Sequence, residues 1–261
     1  MREHWRGRWA LVTGASAGIG RALAEQLAAG GANLVLTARR AERLTELAAN
    51  LSAQHRIRAA VCLADLARPQ TPQEIHEFCR REGVAVDILI NNAGFGAYGE
   101  FHSQDPARLL EMVQLNCSAV VALTRLFLPA MVERRKGDVL IVASTAGFQA
   151  VPYITTYAAT KGFDLLFAEG LAEEVRPYGV RVCCLCPGST QTEFHDVAHQ
   201  PEHTKHRQET AEKVARVGLE ALAAGKSYVI SGLGNYLGTH GQRLAPRRFV
   251  TRVAAGMFRP K

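Results

Sequence analysis

The chain has 261 residues, of which 48% are hydrophobic, and it carries a formal net charge of +7. This length fits one large α/β domain better than two small ones, and no apolar run reaches the length that a membrane-spanning helix needs. The excess positive charge lies wholly after Glu220, where no acidic residue occurs, so a uniformly basic nucleic-acid-binding domain describes the protein poorly and we predict no nucleic-acid partner.

Apolar, strand-like runs alternate with helical patterns along most of the chain. The predicted strands lie at 11–13, 33–38, 57–63, 87–91, 138–143, 181–186 and 228–231. The first four predicted helices lie at 18–29, from the second strand to about 54, at 71–81 and at about 106–135. A fifth carries Tyr157 and extends to about 176, and a sixth follows the polar stretch 188–206 and extends to about 224. This alternation predicts a single-domain α/β fold of Rossmann type, in which a doubly wound parallel sheet of about seven strands carries helices on both faces. We expect the ligand crevice at the carboxyl ends of the strands.

A glycine-rich turn joins the first strand to the first helix. Its sequence, T-G-A-S-A-G-I-G at 13–20, has the spacing G-x-x-x-G-x-G. Glycines let the backbone turn tightly and approach a pyrophosphate, which then lies at the helix N-terminus. Such a turn also occurs without a nucleotide, but its position between a strand and a helix favours a dinucleotide site.

The end of the second strand informs the choice of cofactor. The run L-T-A-R-R at 36–40 has no carboxylate that could accept hydrogen bonds from the 2′-hydroxyl of NAD. Arg39, together with Arg40, would instead bind a 2′-phosphate through charge-assisted hydrogen bonds. We therefore predict NADP(H) rather than NAD(H). The alternative is that both arginines only end a strand at the surface.

Tyr157 and Lys161 are four residues apart in a predicted helix, so they share one face of it. An ammonium beside a phenol favours phenolate, and we expect Lys161 to lower the pKa of Tyr157 toward neutrality. Such a phenol could exchange a proton with a substrate oxygen, which the hydroxyl of Ser144 could also hold. Alone, a Tyr-x-x-x-Lys pair is more often a solvated helix face, so the rest of the chain decides.

Taken together, the motifs resemble the short-chain dehydrogenase/reductase family over about residues 8–232. In chain order, the resemblance rests on the turn at 13–20, Asp65-Leu66, the N-N-A-G run at 91–94, Asn116, Ser144, Tyr157, Lys161, Pro187-Gly188, Thr190 and Thr192. It implies an oxidoreductase that transfers hydride between NADP(H) and a carbonyl or secondary alcohol. An epimerase or dehydratase of the extended type and a cofactor-sensing scaffold protein are the alternative functions.

The resemblance also implies a role for each matching residue. Tyr157 would be the general acid/base, and Lys161 would tune it and bind the nicotinamide ribose. Ser144 would orient the substrate carbonyl, and Asn116 would hold a water that connects the lysine to solvent. The implied cofactor-binding residues are Gly14, Ser16, Ala17, Gly18, Ile19, Gly20, Arg39, Arg40, Asp65, Leu66, Asn91, Ala93, Gly94, Tyr157, Lys161, Pro187, Gly188, Thr190 and Thr192.

In this family the loop after the sixth strand, here about 190–207, closes the substrate pocket. We predict Ser144, Tyr153 and Phe194 as substrate residues, and Phe95 and Phe148 as further candidates for the lining. Aromatic side chains here favour a partly apolar substrate, such as a ketone, an aldehyde or an acyl-linked carbonyl. The same side chains could instead only pack the loop onto the sheet.

We assign residues 1–232 to the oxidoreductase domain and 233–261 to a basic C-terminal extension. Pro246 could open a short amphipathic helix there, with apolar residues on one side and arginines on another. We expect this helix to dock on its own domain or on a partner subunit. Peripheral contact with an anionic membrane is the less favoured alternative.

The remaining features suggest an untargeted, cytoplasmic protein. No apolar signal-peptide core follows the basic start of the chain, and three of the six cysteines, Cys183, Cys184 and Cys186, lie in one predicted strand. We expect these thiols to be reduced and inert, and we predict no metal, although His195, His199, His203 and His206 share one polar stretch. By analogy with the family, we expect a homodimer or a homotetramer.

Overall fold

The computed structural model describes residues 2–202 and 208–260. The strands are β1 (Trp9–Thr13), β2 (Asn33–Ala38), β3 (Ala59–Leu63), β4 (Val86–Asn91), β5 (Gly137–Val142), β6 (Val180–Cys186), β7 (Thr190–Gln191), β8 (Glu209–Thr210) and β9 (Tyr228–Ile230). A seven-stranded parallel sheet forms the centre, with the strand order β3-β2-β1-β4-β5-β6-β9. The helices are α1 (Arg2–Trp5), α2 (Gly18–Ala29), α3 (Ala41–His55), α4 (Thr71–Arg81), α5 (Pro106–Val113), α6 (Ala119–Glu133), α7 (Thr155–Val175), α8 (Phe194–Val197), α9 (Ala211–Ala223), α10 (Leu233–Gly241) and α11 (Arg247–Phe258). The predicted Rossmann-type parallel sheet is confirmed.

Helices cover both faces of the sheet because its strands are apolar on both faces. Successive residues of a strand point to opposite sides, so Leu11 and Val12 belong to two different hydrophobic cores. One core is completed by α2, α3 and α9, and the other by α4, α6 and α7. The continuous apolar runs in the sequence, such as the fully buried β5, follow from this double coverage.

The strand order places the crevice between β1 and β4. β1 has β2 on one side and β4 on the other, so the chain reverses its direction across the sheet after β3. At such a point the loops that follow the two strands diverge toward opposite faces and leave an opening at the carboxyl edge. The glycine turn follows β1 and the N-N-A-G run follows β4, so both predicted cofactor motifs line this opening.

The helix predicted at about 106–135 is interrupted by a π-helical turn, Gln114–Ser118, between α5 and α6. By length and composition alone, the whole segment Pro106–Glu133 is apolar enough to cross a membrane, so the expectation that no run reaches that length was wrong. The segment nevertheless packs in the core on one side, where Leu123, Phe127 and Met131 contact the sheet. It is therefore a core helix of this domain.

Several short elements were not predicted from the sequence. They are α1, which buries Trp5 in the core, the helix α8, the small β7–β8 pair and the helix α10. The polar stretch after β6 is therefore more ordered than an irregular loop. The part of the predicted substrate loop at 203–207, including His203 and His206, lies outside the described residues.

The C-terminal extension packs on the same domain. Ala254 of α11 is buried in a small cluster with Val151, Ile154 and Ala158. The hydroxyl of Tyr98 donates a 2.9 Å hydrogen bond to the carbonyl oxygen of Phe258. The end of the chain is thereby held beside the start of α7, which carries Tyr157.

Candidate active site

A cavity of about 520 Å³ lies at the carboxyl edge of the sheet. Most of the predicted site residues line it: Gly14, Ser16, Ala17, Gly18, Ile19, Arg39, Arg40, Asp65, Leu66, Ala93, Gly94, Ser144, Tyr157, Lys161, Pro187, Gly188, Thr190, Thr192 and Phe194. Four predicted residues do not line it: Gly20, Asn91, Asn116 and Tyr153. The fold thus brings residues that are up to 180 positions apart in the sequence, from Gly14 to Phe194, into one opening.

Asn91 lies outside the cavity because it ends β4 on the face that points to α6. It is buried, and its side-chain nitrogen donates a 3.0 Å hydrogen bond to the hydroxyl of Thr124. The neighbouring Asn92 lines the cavity instead, and its side chain donates a 2.8 Å bond to the carbonyl oxygen of Thr13. Asn91 therefore supports the sheet from behind, whereas the alternation of side chains directs Asn92 to the crevice.

One threonine ties the two sides of the crevice together. The hydroxyl of Thr13 donates to the carbonyl oxygen of Ile90 at 3.0 Å. It also accepts hydrogen bonds from the backbone N–H groups of Asn92 at 2.9 Å and Ala93 at 3.0 Å. Because all three of these bonds join β1 to the end of β4, the glycine turn and the N-N-A-G run keep a fixed separation.

The glycine turn fits an anionic ligand. Gly14 and Gly18 have φ angles of 66° and 54°, in the left-handed region that favours glycine. The N-cap of α2 is Ala17, and no side chain among the described residues caps the helix. The first turn of α2 also has no acidic residue, so its N–H groups and the helix dipole are left for a pyrophosphate.

The basic end of the crevice contains Arg40 and Ser16. The guanidinium of Arg40 donates two hydrogen bonds to the hydroxyl of Ser16, at 3.0 and 3.1 Å, and one to Glu193 at 2.7 Å. Arg43 donates to the other oxygen of Glu193 at 2.7 Å. Hydrogen bonds from Arg43 and Arg40 lower the pKa of the Glu193 carboxyl, which stays ionised.

Arg39 also lines the cavity, and its side chain is exposed. Its guanidinium lies 3.9 Å from the carboxylate of Glu111. Arg39 and Arg40 thus lie on the adenosine side of the cavity, where a 2′-phosphate would be placed if the pyrophosphate lies on α2. A negative group there would meet two arginines and the hydroxyl of Ser16, so this chain has donors that suit it.

Tyr157 faces the cavity from the first turns of α7, beside Ser144 and Lys161. Loss of solvent raises the pKa of the phenol, whereas the charge of Lys161 and a hydrogen bond with Ser144 lower it. Burial outweighs the other two effects, so the pKa lies above its ordinary value. The expected fall toward neutrality was therefore wrong in sign, although Lys161 acts in the predicted direction.

Lys161 is buried, and two protein oxygens hold its ammonium. The Nζ donates to the carbonyl oxygen of Val142 at 2.8 Å and to Oδ2 of Asp164 at 2.9 Å. Burial lowers the pKa of Lys161, but the charges of Asp164 and Tyr157 and the hydrogen bond that the ammonium donates to Asp164 more than offset this, so the pKa is raised. Asp164 was missed in the sequence, where the only signal is a carboxylate one helical turn after the lysine in an otherwise apolar run, G-F-D-L-L.

Asn116 lies behind Tyr157 and Lys161, in the π-helical turn, and is completely buried. Its amide donates 3.0 Å bonds to the carbonyl oxygen of Phe95 and to the hydroxyl of Thr160, and its oxygen accepts from the N–H of Phe95 at 3.2 Å. Asn116 therefore joins the loop after β4 to the helix of Tyr157 and Lys161. Its predicted role in holding a water stays a prediction.

Apolar side chains surround the end of the cavity that contains Tyr157. The ring of Phe194 lies 5.1 Å from the ring of Tyr157. A Cβ at Gly96 would lie only 2.8 Å from the Phe194 ring, so glycine at this position allows the close contact. The other apolar side chains that line this end are Phe95, Leu115, Ile154, Val197 and Phe258.

Two predicted lining residues lie elsewhere. Phe148 packs on Tyr228 with ring centroids 6.2 Å apart, and the hydroxyl of Tyr153 accepts a 3.4 Å bond from Arg259. Tyr153 has a φ of 68°, in the left-handed region, just before α7 begins. Phe258, more than 100 residues away in sequence, lines the cavity although the sequence analysis did not predict it.

The loop after β6 is fixed to the cavity wall by His195. Its Nδ1 is 2.6 Å from Oε1 of Gln200, and its Nε2 is 3.1 Å from the hydroxyl of Ser189. All three side chains line the cavity. Among residues 2–202 and 208–260, no group of three or more His, Cys, Asp or Glu side chains is arranged to hold a metal ion.

A doubly wound parallel sheet, a glycine turn at its crevice and a Ser–Tyr–Lys group beside it define a dinucleotide-dependent oxidoreductase. The chain belongs to the short chain dehydrogenase family, whose model matches residues 8–203. It is therefore an oxidoreductase of this family, which uses a nicotinamide cofactor.

Named relatives and solved structures agree with this membership. The very-long-chain 3-oxoacyl-CoA reductase of Anas platyrhynchos is 33% identical over 227 residues, which cover 84% of this chain and 72% of the relative. A short-chain dehydrogenase from Sphingobium yanoikuyae in complex with NADPH is 30% identical with a TM-score of 0.83, covering 91% of this chain and 93% of that one. The bulky-bulky ketone specific alcohol dehydrogenase from Comamonas testosteroni is 30% identical with a TM-score of 0.77, covering 93% and 98%.

Proposed function

We propose that this protein is an NADP(H)-dependent reductase of apolar carbonyl compounds, which also catalyses the reverse oxidation of the alcohol. The observation that carries the proposal is the cavity itself. At one end it has Ser144, Tyr157 and Lys161, and at the other it has Arg40 beside Ser16. Hydride and proton donors for one carbonyl group can therefore be assembled in a single opening.

A nicotinamide cofactor, when bound, would supply the hydride for the carbonyl carbon. The hydroxyls of Ser144 and Tyr157 bind the carbonyl oxygen, and Tyr157 gives it the proton that completes the alcohol. The charged Lys161 stabilises the phenolate that remains until solvent replaces the proton. Burial holds the pKa of Tyr157 above its ordinary value, so at neutral pH the phenol is protonated and can act as the acid in reduction.

The lining of the catalytic end supports an apolar substrate. Phe194 and Phe258 line the cavity from distant parts of the chain, together with Phe95, Leu115, Ile154 and Val197. The names of two similar proteins give 3-oxoacyl-CoA and bulky ketones as the compounds on which those proteins act. We therefore propose that the substrate is a ketone with a large apolar group, with 3-oxoacyl thioesters as the first compounds to examine.

Exposed apolar side chains on the long helices support the expected homo-oligomer. Leu110, Val113 and Val121 on α5 and α6 are exposed, as are Phe163 and Leu166 on α7. We propose that a second copy of the chain covers this surface. Light scattering that gives the mass of a monomer at micromolar concentration would contradict this.

The activity is tested by following NADPH absorbance with a panel of ketones, aldehydes and 3-oxoacyl thioesters. We expect the fastest turnover with ketones that have a long or bulky apolar group, and slow turnover with short polar ones. NADH in place of NADPH is the matched control. No turnover with any carbonyl, or turnover that prefers NADH, would contradict the proposal.

Arg40→Asp should weaken NADPH binding about tenfold or more, because a charge-assisted hydrogen bond contributes about 1.5–3 kcal/mol and its replacement here is repulsive. The affinity for NADH, which lacks the 2′-phosphate, should change much less. Arg39→Asp should act in the same direction. The measurement is the ratio of NADPH to NADH dissociation constants from fluorescence titration.

Arg43→Asp is the control for this experiment. Arg43 also pairs with Glu193 but makes no hydrogen bond to Ser16 among those of the described residues, so it tests the loss of the Glu193 contact alone. Its ratio of dissociation constants should stay close to that of the wild type. If Arg39→Asp and Arg40→Asp leave the ratio equally unchanged, the NADP(H) assignment is wrong.

A further inference from the structure

Asp164 is a buried carboxylate next to the catalytic lysine. It has no exposed surface and lies one helical turn after Lys161, with Oδ2 2.9 Å from Nζ. Its other oxygen, Oδ1, has no hydrogen-bond partner among the described residues. A buried carboxylate is costly unless it is paired, and this one is paired only through the lysine. A purely structural position in this apolar helix would be filled more stably by leucine.

The contacts of Lys161 show what the carboxylate does. The ammonium has three donors, of which one goes to Val142 and one to Asp164. The two acceptors lie on β5 and on α7, so they fix the nitrogen from two elements. The third donor is left for the cavity, which Lys161 lines together with Tyr157.

We propose that Asp164 is a positioning residue for the oxidoreductase site, which keeps Lys161 charged and directed toward Tyr157. This inference depends on the proposed function, because it describes how the same site works. Asp164 itself touches neither the cavity nor the reacting atoms, since it does not line the cavity. It acts through the lysine.

Among the described residues, Asp164 is the one carboxylate that pairs with the ammonium of Lys161. The titratable groups that face Asp164 and Lys161 are Tyr157 from the same helix, Cys117 from the π-helical turn, and Cys184 and Cys186 from β6. Burial raises the pKa of Cys117 to about 11, and a hydrogen bond with Cys186 together with burial raises that of Cys184 well above its ordinary value. The thiols of Cys117 and Cys184 are therefore neutral at physiological pH, and the carboxylate of Asp164 balances the ammonium.

The direction of the pH effect follows from this. Burial alone would lower the pKa of Lys161, and Asp164 reverses that shift. Without the carboxylate, the lysine would lose its proton at lower pH and would no longer stabilise the phenolate of Tyr157. The alkaline limit of the reductase activity should therefore move to lower pH.

The test compares the pH profiles of kcat/KM for the wild type and Asp164→Asn. The asparagine keeps the size and one acceptor oxygen but removes the charge. We expect the alkaline limb to move down by about one pH unit or more, with about tenfold lower kcat/KM at the pH of the former limb. At lower pH, where Lys161 is protonated in both proteins, the difference should be smaller.

Glu173→Gln is the matched control, because Glu173 lies on the same helix and also pairs with a basic residue three positions away, Arg176. That pair is exposed, and its loss should leave the profile unchanged. Asp164→Leu, with thermal unfolding of every variant, separates a fold defect from a charge effect. A folded Asp164→Asn protein with the wild-type profile, or with a uniform loss at every pH, would overturn the inference.

A second readout does not need turnover. Since Lys161 is expected to bind the nicotinamide ribose, Asp164→Asn should also weaken NADPH binding at alkaline pH but not at lower pH. If the wild type turns over no carbonyl, the proposed function fails, whereas the pH dependence of NADPH affinity still tests Asp164. If the wild type is active and both readouts are unchanged in the variant, only the role of Asp164 fails.

Discussion

Tyr157→Phe should lower kcat roughly 10³-fold, because the variant loses the group that gives the proton to the substrate oxygen. The phenyl ring can still pack on Phe194 at the same place, since the 5.1 Å ring contact does not involve the hydroxyl. The affinity for NADPH should change little because the glycine turn and Arg40, which lie at the other end of the cavity, remain intact. Single-turnover kinetics and a fluorescence titration with NADPH measure the two quantities.

Tyr178→Phe is a suitable control, because it removes the hydroxyl of an exposed tyrosine just beyond α7 and outside the cavity. It should retain wild-type kinetics. Full activity in Tyr157→Phe would contradict the mechanism. A parallel loss of NADPH affinity and kcat would show instead that Tyr157 is needed mainly for binding.

The fold and much of the site could be predicted because their signals are local in sequence. The alternation of apolar runs and helical patterns predicted the seven-stranded sheet, and the glycine turn predicted one wall of the crevice. Tyr157 and Lys161 could be paired because helical spacing alone puts them on one face. Each of these inferences needs only a few neighbouring residues.

What could not be predicted depends on contacts between distant residues. Glu193 meets Arg40 across 153 positions, and Phe258 reaches the cavity from the end of the chain. The π-helical turn likewise forms where Asn116 bonds to Phe95 and Thr160, which lie on other elements. No spacing rule within one segment encodes such contacts.

The pKa of Tyr157 likewise could not be predicted from the sequence alone, because it depends on the tertiary structure. The effect of Lys161 follows from its spacing, but the opposing effect of burial depends on how completely the fold excludes water from the phenol. The sequence therefore indicated one contribution and not the balance. The same applies to Lys161, whose state depends on the unpredicted Asp164.

Gly20→Ala should weaken NADPH binding about 100-fold, because a displacement of about 1 Å in the phosphate-binding turn misplaces several N–H donors at once. Gly20 does not line the cavity but lies in the first turn of α2, directly behind Gly14. A Cβ at this position would overlap with the carbonyl oxygen of Gly14 and would lie 2.9 Å from its carbonyl carbon. The backbone of the turn must therefore move.

Helix propensity alone predicts that Gly20→Ala increases the stability of the protein. Alanine is better than glycine inside a helix by about 1 kcal/mol, so any destabilisation of Gly20→Ala must come from the clash. Gly170→Ala is the matched control, because Gly170 lies within α7 and an added Cβ there meets nothing within 4 Å. We expect Gly170→Ala to be slightly stabilised with normal NADPH binding, and Gly20→Ala to be destabilised by about 1–3 kcal/mol. Urea denaturation measures the free energy of unfolding of each variant, and fluorescence titration measures its affinity for NADPH. Normal NADPH affinity in Gly20→Ala would show that the pyrophosphate does not lie on this turn.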